Sequence, residues 1–150
     1  MTDAGTTIRG AAKNNSQGGT RLVLTAVLLA ALMVPGTGKA EIVKPASIRV
    51  IDGDTLDVSG QRYRLVGFDT PETYYAQCDY ELALGNAATA RVRELIASGQ
   101  ALDLVILPGR DKYGRGLARF FVGGENLADI LTGERLARVY NGGRRQGWCR

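Results

Sequence analysis

The chain has 150 residues, of which 23% are charged, with a net charge of +4, two cysteines and no histidine. This length suits one domain, and the lack of histidine excludes Ser-His-Asp triads and Cys-His pairs. A hydrolase of this composition must therefore activate its nucleophile through a carboxylate or a metal ion. Oxygen ligands favour calcium or magnesium, and two cysteines alone make a poor zinc site.

The first 40 residues have the order of a secretory leader. Three basic residues precede an uncharged run over residues 22–34, and small and turn-forming residues lead to Ala40. This order predicts a signal peptide over residues 1–40 and a mature domain over residues 41–150. An uncleaved membrane anchor is the alternative, although the 13-residue run is shorter than the roughly 20 residues that a spanning helix needs.

Most of the net charge belongs to this leader, and the residues after Ala40 are nearly neutral. Net charge therefore gives no support for nucleic-acid binding, and any anion site must be built locally. The basic residues after Ala40 are arginines apart from Lys44 and Lys112. The planar fork of arginine suits phosphate and carboxylate groups as well as ordinary surface pairs.

The two cysteines are Cys78 and Cys149. Export into an oxidising compartment would favour a disulfide between them. Two free thiols remain the alternative.

Five strands and two helices are predicted after Ala40. The predicted strands are residues 46–52, 55–59, 61–69, 101–107 and 117–122. The predicted helices are residues 82–98, ending at Gly99, and a short one at about 126–132. This order indicates a mainly β, α+β fold: a five-stranded OB-type Greek-key barrel, with a helix between strands 3 and 4 and a short helix after strand 5.

Three segments carry chemistry-bearing residues: VIDGDT over residues 50–55, YRLVGFDTPET over residues 63–73 and DKYGRGLA over residues 111–118. The DTPET segment alone is ambiguous, because aspartate before proline is common turn chemistry. Together, in this order and on this strand plan, the three segments resemble the staphylococcal nuclease (thermonuclease) family. The resemblance covers most of residues 46–140.

The resemblance implies a calcium-dependent phosphodiesterase. It implies that calcium is bound by Asp54, Asp69 and the backbone carbonyl of Thr70. It implies that the catalytic residues are Arg64, Glu72 and Arg115, and that Lys112, Tyr113 and, with an ambiguity of one position, Tyr140 bind the substrate.

Elementary chemistry agrees with these roles. Pro71 fixes one φ angle between Asp69 and Glu72, and a carboxylate just past a metal ligand can orient or deprotonate water. Two arginine forks and a divalent cation are the right counter-charge for a phosphodiester under attack.

Several of the charged residues also have a structural alternative. Arg64 could pair with Asp57 on the neighbouring strand, and Arg115 could be a solvated turn residue. Lys112 could also be solvated, and Asp52 is expected to be a turn residue rather than a ligand.

Aromatic residues outside the three segments are less informative. Tyr74, Tyr75 and Tyr80 follow the DTPET segment and could stack on bases or pack within a loop. Trp148 is expected to pack in the tail.

Two departures from the best-known member of the family affect these expectations. The stretch after Glu72 contains two acids and no lysine, so affinity for polyanions is expected to be weaker or to favour short and single-stranded substrates. The tail also lacks the long C-terminal helix of that member, and a Cys78–Cys149 disulfide is expected to take its place.

The resulting expectation is an exported, monomeric enzyme of the periplasm or the medium, without stable membrane association after cleavage. It would cut DNA and RNA with little sequence preference, because nothing in the sequence resembles a base-reading helix. The resemblance implies 3′-phosphorylated products. The alternatives are a catalytically weak nucleic-acid-binding module of OB type and a purely structural exported domain. Retention of all five charged site residues favours the enzyme.

Overall fold

The computed structural model describes residues 39–149. Its strands are β1 (Lys39–Ile42), β2 (Ile48–Asp52), β3 (Thr55–Val58), β4 (Gln61–Leu65), β5 (Gly67–Asp69), β6 (Leu102–Arg110), β7 (Gly116–Val122), β8 (Glu125–Asn126) and β9 (Arg138–Tyr140). Its helices are α1 (Asp79–Ala97) and α2 (Leu127–Gly133), with a 3₁₀ turn at Pro45–Ser47. Neither helix in this part of the chain is long and apolar enough to cross a membrane.

The larger sheet has the strand order β1-β6-β7-β4-β3-β2, with β8 paired to β7. Strands β2, β3 and β4 form the predicted antiparallel meander, and β4 pairs in parallel with β7. A second, two-stranded sheet joins β5 to β9. The predicted class is confirmed: the domain is α+β, of OB type, with one helix between the meander and the later strands and a short one after β7.

The number of strands exceeds the predicted five. The predicted strand over residues 61–69 is divided into β4 and β5, because Val66 donates to the carbonyl of Ala118 and the chain then leaves the larger sheet. Strands β1, β8 and β9 were not predicted. They have two to four residues each, too few to show a recognisable period of two.

Strand β1 crosses the predicted cleavage position after Ala40. It pairs in antiparallel fashion with β6, from Lys39 opposite Ile106 to Ile42 opposite Asp103. The rest of the predicted signal peptide, residues 1–38, lies outside the described residues. The signal peptide and its cleavage site stay predictions.

Helix α1 packs its apolar stripe against the sheet. The helical spacing predicts one buried face that contains Leu84, Ala88, Val92, Leu95 and Ile96. All of these are buried except Leu84, which is partly buried. Val92, Leu95 and Ile96 join a core that also contains Leu56, Leu65, Phe68, Leu104, Phe120, Leu127 and Leu131.

Helix α1 begins three residues before the predicted start. Cys78 is its N-cap residue without a capping side-chain bond. The buried carboxylate of Glu81 instead accepts from the backbone N–H of Gln77, at 2.8 Å, and from that of Glu72, at 3.4 Å. A carboxylate in the first turn of a helix is favourable, but its partners here lie upstream in the chain, outside the helix.

Gly85 lets α1 approach the DTPET segment closely. A Cβ atom at Gly85 would lie 2.8 Å from the backbone oxygens of both Pro71 and Glu72. These are backbone atoms and cannot rotate away, so any side chain at this position must displace the segment. The close contact with α1 therefore limits where the backbone of the DTPET segment can lie.

We predict that Gly85→Ala destabilises the protein by about 1–3 kcal/mol through this overlap. Alanine normally stabilises a helix relative to glycine, by about 1 kcal/mol in the helix interior, so the expected sign is the reverse of the helix-propensity effect. Gly133→Ala is the matched control, because a Cβ there meets nothing within 4 Å. Urea unfolding would measure both variants, and equal midpoints for Gly85→Ala and Gly133→Ala would contradict the packing described.

Candidate active site

The turn between β2 and β3 and the end of β5 bring the two predicted aspartate ligands into one region. Asp54 and Asp69 are both buried. Asp54 Oδ2 accepts from the backbone N–H of Thr70 at 3.3 Å. Asp54 therefore lies against the first residue after β5, which is the residue predicted to supply a carbonyl ligand.

Arg64 joins the two carboxylates. Its Nη1 lies 2.6 Å from Asp54 Oδ2, and its Nη2 lies 3.4 Å from Asp69 Oδ1. The same two nitrogens donate to the carbonyls of Leu65 and Phe68, at 2.9 and 3.0 Å. One buried guanidinium thus holds β3, β4 and β5 at a common corner.

The alternative in which Arg64 pairs with Asp57 is wrong. Asp57 pairs with Arg49 at 3.4 Å on the exposed side of the meander. The β4 residue Arg64 instead points to the interior, where it is almost fully buried.

Arg115 is held at the same site from the β6–β7 connection. Its Nε donates to Asp111 Oδ2 at 2.6 Å, and its Nη1 donates to Thr55 Oγ1 at 3.1 Å. Thr55 in turn donates to Asp54 Oδ1 at 3.0 Å. Arg115 is therefore not a solvated turn residue but is linked through Thr55 to the predicted metal ligand.

Glu72 has a partner that the sequence did not predict. Its Oε1 accepts from Arg145 Nη1 at 2.7 Å, and Arg145 Nε lies 3.0 Å from Asp69 Oδ1. The Glu72 side chain is 39% exposed. A carboxylate that is accessible and close to Asp69 fits the predicted role of a base or water-orienting group.

Most of these residues line an open groove. Tyr113 and Tyr140 lie along it, and Lys112 Nζ is 4.9 Å from the centre of the Tyr113 ring. The groove contains most of the predicted site: Asp54, Arg64, Glu72, Lys112, Tyr113, Arg115 and Tyr140. Asp69 and Thr70 lie beside it, joined to it through Arg64 and Asp54.

Four residues that position this site were missed by sequence reasoning. Asp111 could have been found, because an aspartate that opens a polar turn commonly accepts from backbone N–H groups a few residues on, and here it accepts from those of Tyr113 and Arg115. Thr55 follows a predicted ligand but has the pattern of an ordinary strand residue. Glu81 and Arg145 have no local signal, because their partners are distant in the sequence.

The predicted disulfide is confirmed. Cys78 and Cys149 are bonded, with Cα atoms 6.0 Å apart and 71 positions between them in the sequence. Glu81 lies close to both sulfur atoms, but sulfurs bonded to each other are not thiolate metal ligands. A loop of this length is expected to stabilise the fold by about 4 kcal/mol in the chain-entropy model.

Comparison with known proteins agrees with this geometry. The family model described as staphylococcal nuclease homologue matches residues 62–147. The chain belongs to the staphylococcal nuclease family.

Three named proteins are similar in sequence to this chain. The chain is 39% identical over 107 residues to SPbeta prophage-derived endonuclease YokF of Bacillus subtilis, covering 66% of this chain and 35% of that protein. It is 43% identical over 99 residues to endonuclease YncB of the same organism, covering 61% and 45%. It is 37% identical over 106 residues to a thermonuclease of Staphylococcus intermedius, covering 68% and 60%. The match thus spans between about a third and three fifths of these relatives' lengths.

The donor atoms of the site fit a hard divalent cation. Asp54, Asp69 and the Thr70 carbonyl offer oxygen atoms only, which is the set that calcium and magnesium prefer. Arg64 and Arg145 now contact the two carboxylates, which shows that this pocket of oxygen atoms attracts positive charge. Residues of this staphylococcal nuclease domain could therefore hold such an ion.

Burial and mutual repulsion shape the ionisation of the acids. Burial, followed by the nearby charge of Asp54, raises the pKa of Asp52 from 3.8 to about 6. Burial also raises the pKa of Asp69, although Arg145 and Arg64 oppose this. Burial opposes ionisation of Asp111 as well, but the hydrogen bonds from Arg115 outweigh it, and the pKa of Asp111 is lowered.

Asp52 forms the turn that was expected of it. Its Oδ1 accepts from the backbone N–H of Asp54 at 3.1 Å. Asp52 also lines the groove. Its charge interacts with that of Asp54.

We predict that Asp52 makes stability fall as the pH rises. The folded state binds the Asp52 proton more tightly than the unfolded state, so this stabilisation is complete below pH 3.8 and is lost as the pH passes about 6. The loss amounts to at most about 3 kcal/mol. Urea unfolding of the wild type and of Asp52→Asn, between pH 4 and 7.5 in a chelator, would measure it. A constant difference between the two proteins across this range would contradict the prediction.

Proposed function

We propose that this chain is an exported, calcium-dependent endonuclease that hydrolyses phosphodiester bonds of DNA and RNA with little sequence preference and leaves 3′-phosphorylated products. The observation that carries the proposal is the convergence of Asp54, Glu72 and Arg115 at one open groove. Asp69 lies beside the groove and is joined to it through Arg64 and Arg145. Membership of a family with named endonucleases and a thermonuclease supports it. The disulfide supports export, since such bonds persist in oxidising compartments.

Each residue then has a role that follows from its position. A calcium ion held by Asp54, Asp69 and the Thr70 carbonyl would supply Lewis-acid stabilisation of charge on the phosphate. Glu72, which is accessible at the groove, would orient the attacking water and take its proton. Arg115, fixed by Asp111, would face a phosphate oxygen with its remaining donors.

Arg64 has a more indirect role than the resemblance implies. Its nitrogens are directed at Asp54, Asp69 and two backbone carbonyls. We assign two tasks to Arg64: it aligns the two carboxylates, and it supplies positive charge at the wall of the groove. Lys112, Tyr113 and Tyr140 would contact neighbouring parts of the nucleic acid.

The absence of base-reading elements in the groove supports low sequence specificity. In the described part of the chain, its lining comes from strands and turns rather than from a helix that could enter a major groove. The enzyme is expected to act as a monomer.

We predict that the purified, disulfide-bonded protein degrades single-stranded DNA in millimolar calcium and that excess chelator stops it. Glu72→Gln should lower kcat by about 10²–10⁴-fold, the usual contribution of a general base. Glu125→Gln, an exposed acid in the two-residue strand β8, is the control and should retain wild-type activity.

Two results would count against this proposal. Degradation that survives the chelator would exclude the metal site at Asp54 and Asp69. A folded protein that binds DNA without cleaving it would support the binding-module alternative.

Exposed tyrosines at the groove favour single strands as substrates. Tyr74 and Tyr75 are 93% and 76% exposed and line the groove, whereas Tyr80 is not among the lining residues. Unpaired bases can stack on such rings, and stacked bases within a duplex cannot. The stretch after Glu72, which contains these tyrosines, has no lysine that would favour duplex binding through charge alone.

We predict that Tyr74→Ala/Tyr75→Ala raises KM for a single-stranded oligonucleotide about tenfold, which corresponds to the loss of one stacked base. KM for duplex DNA of the same sequence should change less. Tyr80→Ala is the control variant. Equal losses on the two substrates would show that the tyrosines do not select single strands.

A further inference from the structure

Arg145 occupies the active-site groove although none of the three sequence motifs contains it. Its Nε lies 3.0 Å from Asp69 Oδ1, and its Nη1 donates to Glu72 Oε1 at 2.7 Å. It therefore contacts a proposed metal ligand and the proposed base at the same time. It reaches both from the C-terminal segment, 73 positions beyond Glu72.

The backbone that carries Arg145 is anchored on both sides. On one side, Tyr140 ends β9 and donates its hydroxyl to the carbonyl of Gly143 at 2.7 Å. Gly142 and Gly143 both have positive φ angles, which allow the chain to turn back towards the groove.

On the other side, the disulfide ties Cys149 to the start of α1. Trp148 is buried, and the Arg138 guanidinium lies 3.6 Å from the centre of its ring. Arg138 Nη1 also donates to the carbonyl of Gly147 at 3.0 Å. The backbone on both sides of Arg145 is therefore held in place. In this respect its ion pairs differ from those of a mobile surface side chain, which contribute little to stability.

The Arg145 side chain has capacity for a further ligand. It is 38% exposed and lines the groove. Within residues 39–149 its Nη2 forms no hydrogen bond, whereas an arginine fork can donate through all three nitrogens. A phosphate in the groove could accept from this guanidinium in the bidentate manner that arginine favours.

The same position puts Arg145 in competition with a cation at Asp69. A positive guanidinium 3.0 Å from the carboxylate neutralises the charge that a divalent ion would use. A unit positive charge this close to the carboxylate repels a divalent ion, and the repulsion lowers the affinity of the site for that ion. Arg145 should therefore oppose cation binding until a phosphate gives it another partner.

We propose that Arg145 is a third arginine of the active site, which exchanges between the Asp69–Glu72 carboxylates and a phosphate of the substrate and is kept within reach by the Cys78–Cys149 disulfide. This inference rests on the proposed function. It makes nucleic acid and divalent cation cooperative ligands, since the phosphate removes the competing charge from Asp69. It also makes the activity depend on the oxidised tail, so the reduced protein should be a poor enzyme.

The test compares Arg145→Gln with Arg144→Gln, an exposed neighbour with the same charge. Calorimetric titration of calcium alone should show about tenfold tighter binding to Arg145→Gln than to wild type, because a repelling charge is removed. With saturating calcium and a short single-stranded oligonucleotide, Arg145→Gln should raise KM about tenfold and leave kcat within about twofold, as expected for lost binding of a phosphate. Arg144→Gln should match wild type in both.

The opposite signs of the two effects separate this role from a structural one. A variant that merely loosened the groove would weaken calcium and substrate together. The Cys78→Ser/Cys149→Ser protein should reproduce both effects, and adding Arg145→Gln to it should change neither constant further. If that double variant does not fold, the comparison of Arg145→Gln with Arg144→Gln in the disulfide-bonded protein still decides the matter.

The failures are distinguishable. A wild-type protein that binds no calcium and cuts no DNA overturns the proposed function and this inference with it. A wild-type protein that does both, while Arg145→Gln and Arg144→Gln behave alike, overturns this inference alone.

Discussion

The buried ion pair of Arg64 with Asp54 is the interaction on which the rest of the site depends. Two carboxylates placed together in the interior would repel each other and lose hydration. The Arg64 guanidinium compensates for both, with 2.6 Å to Asp54 and 3.4 Å to Asp69. Breaking such a buried pair by removing one partner typically costs about 3–5 kcal/mol. The corner formed by β3, β4 and β5 is therefore built around a charge arrangement that also suits a cation.

A second constraint comes from the start of α1. Gly85 allows the helix to touch the backbone of Pro71 and Glu72, and the carboxylate of Glu81 accepts from the backbone of the same segment. The helix thus contacts the backbone of Glu72, and the disulfide at Cys78 joins the tail to the start of the same helix. Structural elements that would ordinarily only stabilise the fold here determine where the proposed base lies.

The charges of the groove are balanced locally, so the proposed binding of a polyanion does not require a large net charge on the domain. Arginine forks face carboxylates at short range, and each of these pairs can be rearranged by a cation or a phosphate. Function therefore depends on this set of side chains rather than on the OB-type fold, which serves many purposes. The comparisons establish the family. Because they cover only part of each relative's length, the activity proposed for this chain is argued from its own residues.

Local patterns in the sequence were enough to predict the elements and residues that depend on near neighbours in the chain. The resemblance of three short segments to a known family marked Asp54, Asp69 and Arg115, and the helical period marked the buried face of α1. The contacts of Glu81 and Arg145 with Glu72 became visible only in the folded chain. The same is true of the pairing of β1 and β9 with distant strands. The physical reason is range: a turn or a helix face is specified by residues within a few positions, whereas a contact across 73 positions depends on how the whole chain packs.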